Sequence, residues 1–307
     1  MLGWLLYKDP AEAIRPDNYS IHRLLEAAEK NGIELKILSP EQIDIIVTRE
    51  DRKSILVNEV PTTLPDFILP RMGASTTYFA LAVIRHLERL GVYSVNTSQS
   101  VDTVKDKLYT LQILAESNLP IPKTILLKFP VEAGIVHKQL KFPVIVKTLS
   151  GSKGSGVFLS TDNNSFNDLM QLIYATNRNA NIILQEFIET SRGRDLRVLT
   201  IGGRVVSAME RIANEGNFKA NFSIGGNVLK YEVSPLVEQI SSEISRILNL
   251  DVAGIDLLFD KEGFKICEVN SSPGFRGMEQ CCDVDVADLI FQFIKKKLAA
   301  KEKIIGI

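Results

Sequence analysis

The chain has 307 residues and a mass of 34.2 kDa, room for about two domains or one large one. Its 45% hydrophobic and 24% charged residues are ordinary for a globular protein able to bury a sizeable core. Lys and Arg number 36 against 37 Asp and Glu, a net charge of −1, which excludes a bulk basic field for nucleic acid but not a local site for a small polyanion. Trp4 to Tyr7 reads as a buried first strand; it is too short, and lacks the basic leader, for a signal peptide. Ser20 to Asn31 is predicted helical, with Ile21, Leu24, Leu25 and Ala28 on one face. Glu34 to Leu38 and Asp66 to Leu69 follow as strands, Thr76 to Leu90 as a helix closed by Gly91, and Val92 to Asn96 as a strand. This alternation predicts a small open sheet with helices on its faces.

A second unit begins near Ser100. Asp102 to Ser117 is predicted as one helix, Pro143 to Leu149 and Val157 to Ser160 as strands, and Asn164 to Tyr174 as a helix. Ile182 to Ile188, Leu196 to Ile201, Val205 to Arg211, Ile255 to Phe259 and Phe264 to Val269 read as strands. Helices at about Ser234 to Leu248 and Val284 to Leu298 complete an α/β chain of the mixed, α+β kind. No run approaches the roughly 18–20 apolar residues of a membrane span. Cys267, Cys281 and Cys282, like His22, His86 and His137, lack metal-ligand spacing. A cytoplasmic protein without membrane or bulk nucleic-acid partners is expected.

The most informative segment runs from Gly254 to Asn270. Two apolar strands flank Lys261-Glu262-Gly263, and a three-residue loop with Gly263 in the left-handed position would set Asp260 opposite Phe264. Counting back, Asp256 then opposes Glu268, with Asn270 two residues along the same face. Opposed carboxylates repel, and a hard cation between them removes the conflict. A solvated hairpin face is the plainer alternative, but Ile255, Leu257, Leu258, Ile266 and Val269 are too apolar for it.

Gly151-Ser-Lys-Gly-Ser-Gly156 follows the strand that holds Lys147. Glycine and serine let successive N–H groups cradle a phosphate, although alone such a loop is as readily a hairpin turn. It is neither a Walker A loop nor a dinucleotide fingerprint. Lys147 within an apolar strand needs an anionic partner or a route to water. Gln185-Glu-Phe-Ile188 could present a backbone edge to an adenine ring, but by itself is only a strand. Asp195-Leu-Arg197 and Glu210-Arg211 read first as structural ion pairs, with Arg211 able to clamp a transferring phosphoryl group. Lys219-Ala220-Asn221 and Ser223-Ile-Gly225-Gly226 form a polar loop that could cover a site.

Taken in order, Asp106-Lys107, Val-Ile-Val-Lys147, the Gly-rich loop, Gln-Glu-Phe-Ile188, Asp195-Leu-Arg197, Asp256 and Glu268-Val-Asn270 resemble the ATP-grasp superfamily. Leu69-Pro-Arg71-Met-Gly, Glu210-Arg211, Glu215-Gly-Asn-Phe218 and Glu268-Val-Asn-Ser-Ser-Pro-Gly274 make the RimK-type α-L-glutamate ligase family the closer match, over about residues 2–295. The resemblance implies an N-terminal pre-ATP-grasp domain over 1–99, a small subdomain with the phosphate loop over 100–187, and a C-terminal subdomain with the metal site over 188–307. It implies ATP as cosubstrate and Mg²⁺ or Mn²⁺, two ions, held by Asp256, Glu268 and Asn270. Lys107, Lys147, Gly151, Gly154, Ser155, Gly156, Gln185, Glu186, Phe187, Ile188, Asp195, Lys219, Ala220 and Asn221 would surround the nucleotide. Arg211 and Lys219 would serve the transfer, with Arg71, Arg197, Ser223, Gly225 and Gly226 on the substrate side.

The implied chemistry converts a carboxylate to an acylphosphate, which the amine of L-glutamate or a similar amino acid attacks with release of ADP and phosphate. The acceptor would be a small molecule or a protein C-terminus, and a homo-oligomer is expected. One departure bears on the acceptor. Ser223-Ile-Gly-Gly226 and Ile212 stand where many ribosomal-protein-modifying members carry basic residues, which is more like the branch that joins glutamate to N-acetylaspartate or similar small acids. The alternatives are another ATP-grasp peptide ligase, of D-Ala-D-Ala or lysine-biosynthesis type, and a catalytically silent ATP-binding regulator.

Overall fold

The computed structural model describes residues 1–49, 54–129, 131, 134–149, 156–220 and 226–305. The chain opens with β1 (Leu2–Leu6), α1 (Tyr19–Lys30) and β2 (Glu34–Leu38). A small antiparallel meander follows, of β3 (Ile43–Ile45), β4 (Ile55–Val57) and β5 (Val60–Pro61). Strands this short carry too little periodicity to be read from sequence. Then come β6 (Phe67–Pro70), α2 (Tyr78–Arg89) and β7 (Tyr93–Ser94). The longer sheet is parallel, in the order β2-β1-β6-β7. The chain therefore steps to one side of β1 for β2 and to the other for β6, and the direction of winding reverses between β1 and β6. Alternation sends Trp4, Leu6 and Ile68 to the α2 face and Leu5, Phe67 and Leu69 to the other.

One expected helix is two. α3 (Ser98–Lys105) and α4 (Lys107–Glu116) are separated at Asp106, whose backbone leaves the helix at ψ 104°. Its Oδ1 accepts from the N–H groups of Leu108 and Tyr109 at 2.9 and 3.0 Å, so the aspartate restarts the helix as an N-cap. The next sheet contains β8 (Thr124–Leu127), unforeseen between its prolines, then, beyond α5 (Gly134–Gln139), β9 (Val144–Thr148) and β10 (Val157–Ser160). After α6 (Asn163–Thr176), β11 (Ile182–Glu186) completes its antiparallel order β10-β9-β11-β8.

The largest sheet is built from β12 (Arg194–Ile201), β13 (Arg204–Ile212), β14 (Asn227–Lys230), β15 (Val252–Asp260) and β16 (Gly263–Asn270), with α7 (Pro235–Ile247) between β14 and β15. Its order is β14-β13-β12-β15-β16, all antiparallel. α8 (Arg276–Cys281) and α9 (Val286–Ile305) end the described chain. α9 returns to the first sheet, where Phe291 meets Phe67 edge-on at 6.2 Å. Leu5 and Phe67 thus share one core with Leu199, Ile201 and Val252 of the largest sheet. The opposite face of that sheet packs Leu196, Ile255 and Leu257 against Leu114 of α4 and Ile244 of α7. No helix among the described residues is long and apolar enough to cross a membrane.

The two units are also joined by a single amide. Asn96, 1% exposed, donates through Nδ2 to the carbonyls of Val252 (2.8 Å) and Ser271 (2.7 Å). Its Oδ1 accepts from the backbone of Asp251 (2.7 Å) and Val252 (3.0 Å). Every hydrogen-bonding site of the side chain is used, and the start of β15 is tied to the residue that follows β16. Removing it strands buried backbone groups, each costing about 1–3 kcal/mol. Asn96→Ala should therefore lose roughly 3–5 kcal/mol in urea unfolding; a loss under about 1 kcal/mol would contradict this role.

Candidate active site

Between the small sheet and the largest one lies a cleft with about 960 Å³ of empty space, part of it open to solvent. Strand alternation decides what enters it. On β9, Val144 and Val146 join the small core, so Ile145 and Lys147 face the cleft. On β15, Ile255 and Leu257 are core, so Asp256 and Leu258 face it. Lys107, at the first turn of α4, reaches in from the side. Gln185, Glu186, Phe187 and Ile188 line it where β11 ends, and Asp195, Lys219 and Ala220 line it from beyond.

The β15–β16 hairpin reaches the expected pairing by an unexpected route. Asp260 opposes Gly263 rather than Phe264, so the loop is one residue shorter than the spacing predicts. A bulge then shifts the register between Leu257–Ile266 and Asp256–Glu268, leaving Cys267 as the extra residue. The result is Asp256 opposite Glu268 and Gly254 opposite Asn270. The bulge lets Ile266 and Val269, three apart, both enter the core while Cys267 and Glu268 both face the cleft. That spacing of apolar residues was the available signal. Gly254 is required because a Cβ there would fall 2.6 Å from Cβ of Pro273.

Asp256 is buried within a network of four charges. Arg197 grips it through Nε and, at 2.8 Å, Nη2. Nη2 of Arg211 lies 2.9 Å from its Oδ2. Arg211 also makes a two-pronged bond to Asp195, at 2.6 and 2.7 Å. Burial alone would raise the Asp256 carboxyl, but the two arginines outweigh it and hold it at about 2. Asp195 is pushed upward by burial, against the pull of Arg211. Arg197 and Arg211 share the sheet face of Asp195 and Asp256, but their guanidiniums are taken up by those carboxylates and they are not among the cleft-lining residues. Glu210 pairs instead with Arg194, at 3.3 Å.

The other charges are more accessible. Lys107 Nζ lies 3.5 Å from Glu268 Oε1. Lys147 Nζ donates to Cys267 Sγ at 3.5 Å. Burial lowers the Lys219 ammonium, which stands over the rings of Phe158 and Phe218 at 5.8 and 5.5 Å. The Glu186 carboxylate accepts from Lys265 and from the backbone N–H of Lys123 (2.9 Å), joining the two sheets. Sequence reasoning missed Cys267 and Arg194, which line the cleft from strand positions, and Lys265, which pairs with Glu186; their types carry no motif, only a position in the strand register. Gly156 closes the β9–β10 loop at φ 75°, its carbonyl accepting from Thr148 N at 2.9 Å. Gly226 precedes β14, and Arg71, which is not among the cleft-lining residues, bonds the carbonyl of Pro273 beside Gly254 of β15. Gly151, Gly154, Ser155, Asn221, Ser223 and Gly225 lie outside the described residues.

Asp256, Glu268 and Asn270 offer two carboxylates and a carboxamide on adjacent strands, an all-oxygen set that suits Mg²⁺ or Mn²⁺. Among the described residues no group of three or more His, Cys, Asp or Glu forms a metal cluster, consistent with a set of only two acids. The charge network gives a direct prediction. Arg211→Met leaves Asp195 with no guanidinium partner and Asp256 with one, and should cost about 3–5 kcal/mol in equilibrium unfolding; a change within about 1 kcal/mol would show the network to be dispensable.

Known proteins share this fold and chain order. The RimK PreATP-grasp domain model matches residues 13–101 and the RimK-like ATP-grasp domain model residues 104–294. A probable alpha-L-glutamate ligase of Legionella pneumophila (strain Corby) is 36% identical over 286 residues, covering 93% of this chain and 94% of its own. Among solved structures, the ATP-grasp ligase PsnB, complexed with a phosphomimetic variant of its minimal precursor, Mg and ADP, superposes with a TM-score of 0.73 at 18% identity, covering 96% of this chain and 97% of its own. D-alanine–D-alanine ligase from Bacillus anthracis superposes with a TM-score of 0.68 at 17% identity, covering 99% of each chain. At such identities the superpositions speak for the fold alone, while the family models and the Legionella relative speak for the family. The chain is an ATP-grasp ligase and belongs to the RimK-like family.

Proposed function

We propose that this ligase joins L-glutamate, through its amine, to a carboxylate acceptor by way of an acylphosphate, releasing ADP and phosphate. The observation that carries the reading is the convergence of Lys107, Lys147, Lys219, Asp256 and Glu268 on one cleft. Lys107 and Lys147 would bind the polyphosphate. Residues 185–188 would hold the adenine by the backbone edge at the end of β11, with Glu186 fixed by Lys265 and Lys123. Asp195 would bear on the nucleotide from beneath. Lys219 would sit at the transferring phosphoryl group. The nucleotide would lie between residues 100–187 and 188–307.

No covalent nucleophile is needed. Charge builds on phosphoryl oxygens during transfer, and fixed cations in a partly dry cleft oppose it without reorganising. Asp256, Glu268 and Asn270 would hold the divalent cations, which supply further neutralisation of the phosphates and a template for their oxygens. Arg211, paired with both Asp195 and Asp256, would keep Asp256 ionised and aligned. Closure of the Gly-rich loop would exclude water from the labile acylphosphate. The lack of a basic pair at Ile212 and Ser223–Gly226 supports a small acidic acceptor over a ribosomal protein C-terminus.

Mass spectrometry of products formed from ATP, Mg²⁺, glutamate and candidate acceptors should find adducts increased by a glutamyl residue, with ADP release dependent on both substrates. Nucleotide binding without such turnover, across a broad panel, would favour a regulator. Glu268→Gln should abolish turnover while the fold survives, and full activity would sink the metal assignment. Lys147→Ala should weaken ATP by about tenfold or more; unchanged affinity would remove its phosphate role.

A further inference from the structure

Arg71 is a buried cation without a carboxylate. It is 9% exposed, yet no described acid is paired with it. Its Nη2 donates to the carbonyl of Pro273 at 2.6 Å, and its guanidinium stands 5.7 Å from the Phe275 ring centre. Neither contact neutralises it, and most of its N–H donors remain unspent. Burial lowers its pKa to about 10, and Tyr7 is the one ionisable neighbour that pulls the other way. The chain's other deeply buried arginine, Arg211, has two aspartates. An unpaired buried charge is expensive, so one that is kept implies a partner that comes and goes.

The position points the same way. Tyr7 and Arg71 are the residues that immediately follow β1 and β6, and the Arg71 N–H closes onto the Leu6 carbonyl at 2.8 Å. The winding of the parallel sheet reverses between these two strands. In open α/β sheets the crevice outside the carboxyl ends, at such a reversal, is where ligands bind. The Tyr7 hydroxyl stands in the same region, held by Asn18 Nδ2 at 2.8 Å. Arg71 is also coupled to the reaction centre. Pro273, whose carbonyl it grips, packs on Gly254, and Gly254 is paired with Asn270. Gly254 alternates onto the same face of β15 as Asp256, so Arg71 lies one residue layer from the proposed metal-ligand strand, on the cleft-facing side of the large sheet.

We propose that Arg71 anchors a carboxylate of the substrate that is not the reacting one, at the carboxyl edge of the N-terminal sheet. The proposal rests on the ligase reading and names a substrate class within it: a small acid with a second carboxylate, clamped by a guanidinium fork. That carboxylate belongs either to the glutamate donor or to a dicarboxylic acceptor, and the two sources separate experimentally.

The test is calorimetric titration of L-glutamate and, separately, N-acetyl-L-aspartate into the full chain loaded with ADP and Mg²⁺. Wild type, Arg71→Met and Arg71→Lys are compared. Arg71→Met should weaken one probe by about thirtyfold or more, as loss of a charge-assisted pair does, with ADP affinity unchanged within about twofold. Arg71→Lys should recover part of that loss. Weakened glutamate assigns the carboxylate to the donor, and weakened N-acetyl-L-aspartate assigns it to the acceptor. Arg71→Met should also melt at or above the wild-type temperature, because it removes an uncompensated charge. Equal affinity of Arg71→Met and wild type for both probes would overturn the proposal. So would the absence of saturable binding of either probe to wild type, or an Arg71→Met chain that cannot fold beside an Arg71→Lys chain that binds like wild type. Unchanged affinities with glutamate-dependent ADP release intact would sink the Arg71 assignment alone. Absence of that release would sink the ligase reading and leave the titration to judge the anchor.

Discussion

Two aspartates and two arginines leave water together at the floor of the cleft, and the site is arranged around that exchange. Arg211 on β13 is shared by Asp195 on β12 and Asp256 on β15, while Arg197 on β12 takes the remaining face of Asp256. None of the four is affordable alone, because an unpaired buried charge costs several kcal/mol. Together they fix three adjacent strands in register and keep the Asp256 carboxylate ionised. An ionised, aligned carboxylate at the cleft wall is what a divalent cation requires. The quartet is neutral as a set, so the net charge the cleft presents comes from residues in front of it. Those are Lys107, Lys147, Arg194 and Lys219, set against Glu186 and Glu268.

The whole-chain balance of −1 conceals this separation of charge. A polyphosphate entering the cleft meets lysines from α4, from β9 and from the segment before β14, brought from three parts of the sequence by two sheets. Asn96 and α9 hold the N-terminal unit against the same large sheet. A substrate seated at the carboxyl edge of the first sheet would therefore face the strand pair that carries Asp256 and Glu268. The reacting groups need not travel far, and positioning rather than covalent chemistry carries the rate.

Much of this was legible in residue order. The strand at Glu34–Leu38 and that at Val157–Ser160 match their expected limits, because each is a short apolar run bounded by turn residues. The Asp256–Glu268 pairing was also foreseen, but through a loop of the wrong length. The bulge at Cys267 corrected the count, and only the three-residue spacing of Ile266 and Val269 could have revealed it. The Asp106 break was hidden because helical periodicity continues on both sides of it. The arginine partners were hidden for a different reason. Asp195 and Arg211 are neighbours across a ladder whose register is set by a hairpin and its own bulge, which side-chain type alone does not specify. Arg71 appeared as one residue of a motif, and its isolation from any acid among the described residues is a property of the folded chain alone.

In the proposed reaction the cleft transfers a phosphoryl group from ATP to a substrate carboxylate before the amide bond forms. That transfer is tested by labelling the acceptor carboxylate with ¹⁸O and following the released phosphate by ³¹P nuclear magnetic resonance during turnover with glutamate. An acylphosphate route predicts that each phosphate released carries one labelled oxygen from the acceptor. Phosphate free of label, at a matching rate of ADP formation and ligation, would contradict the account.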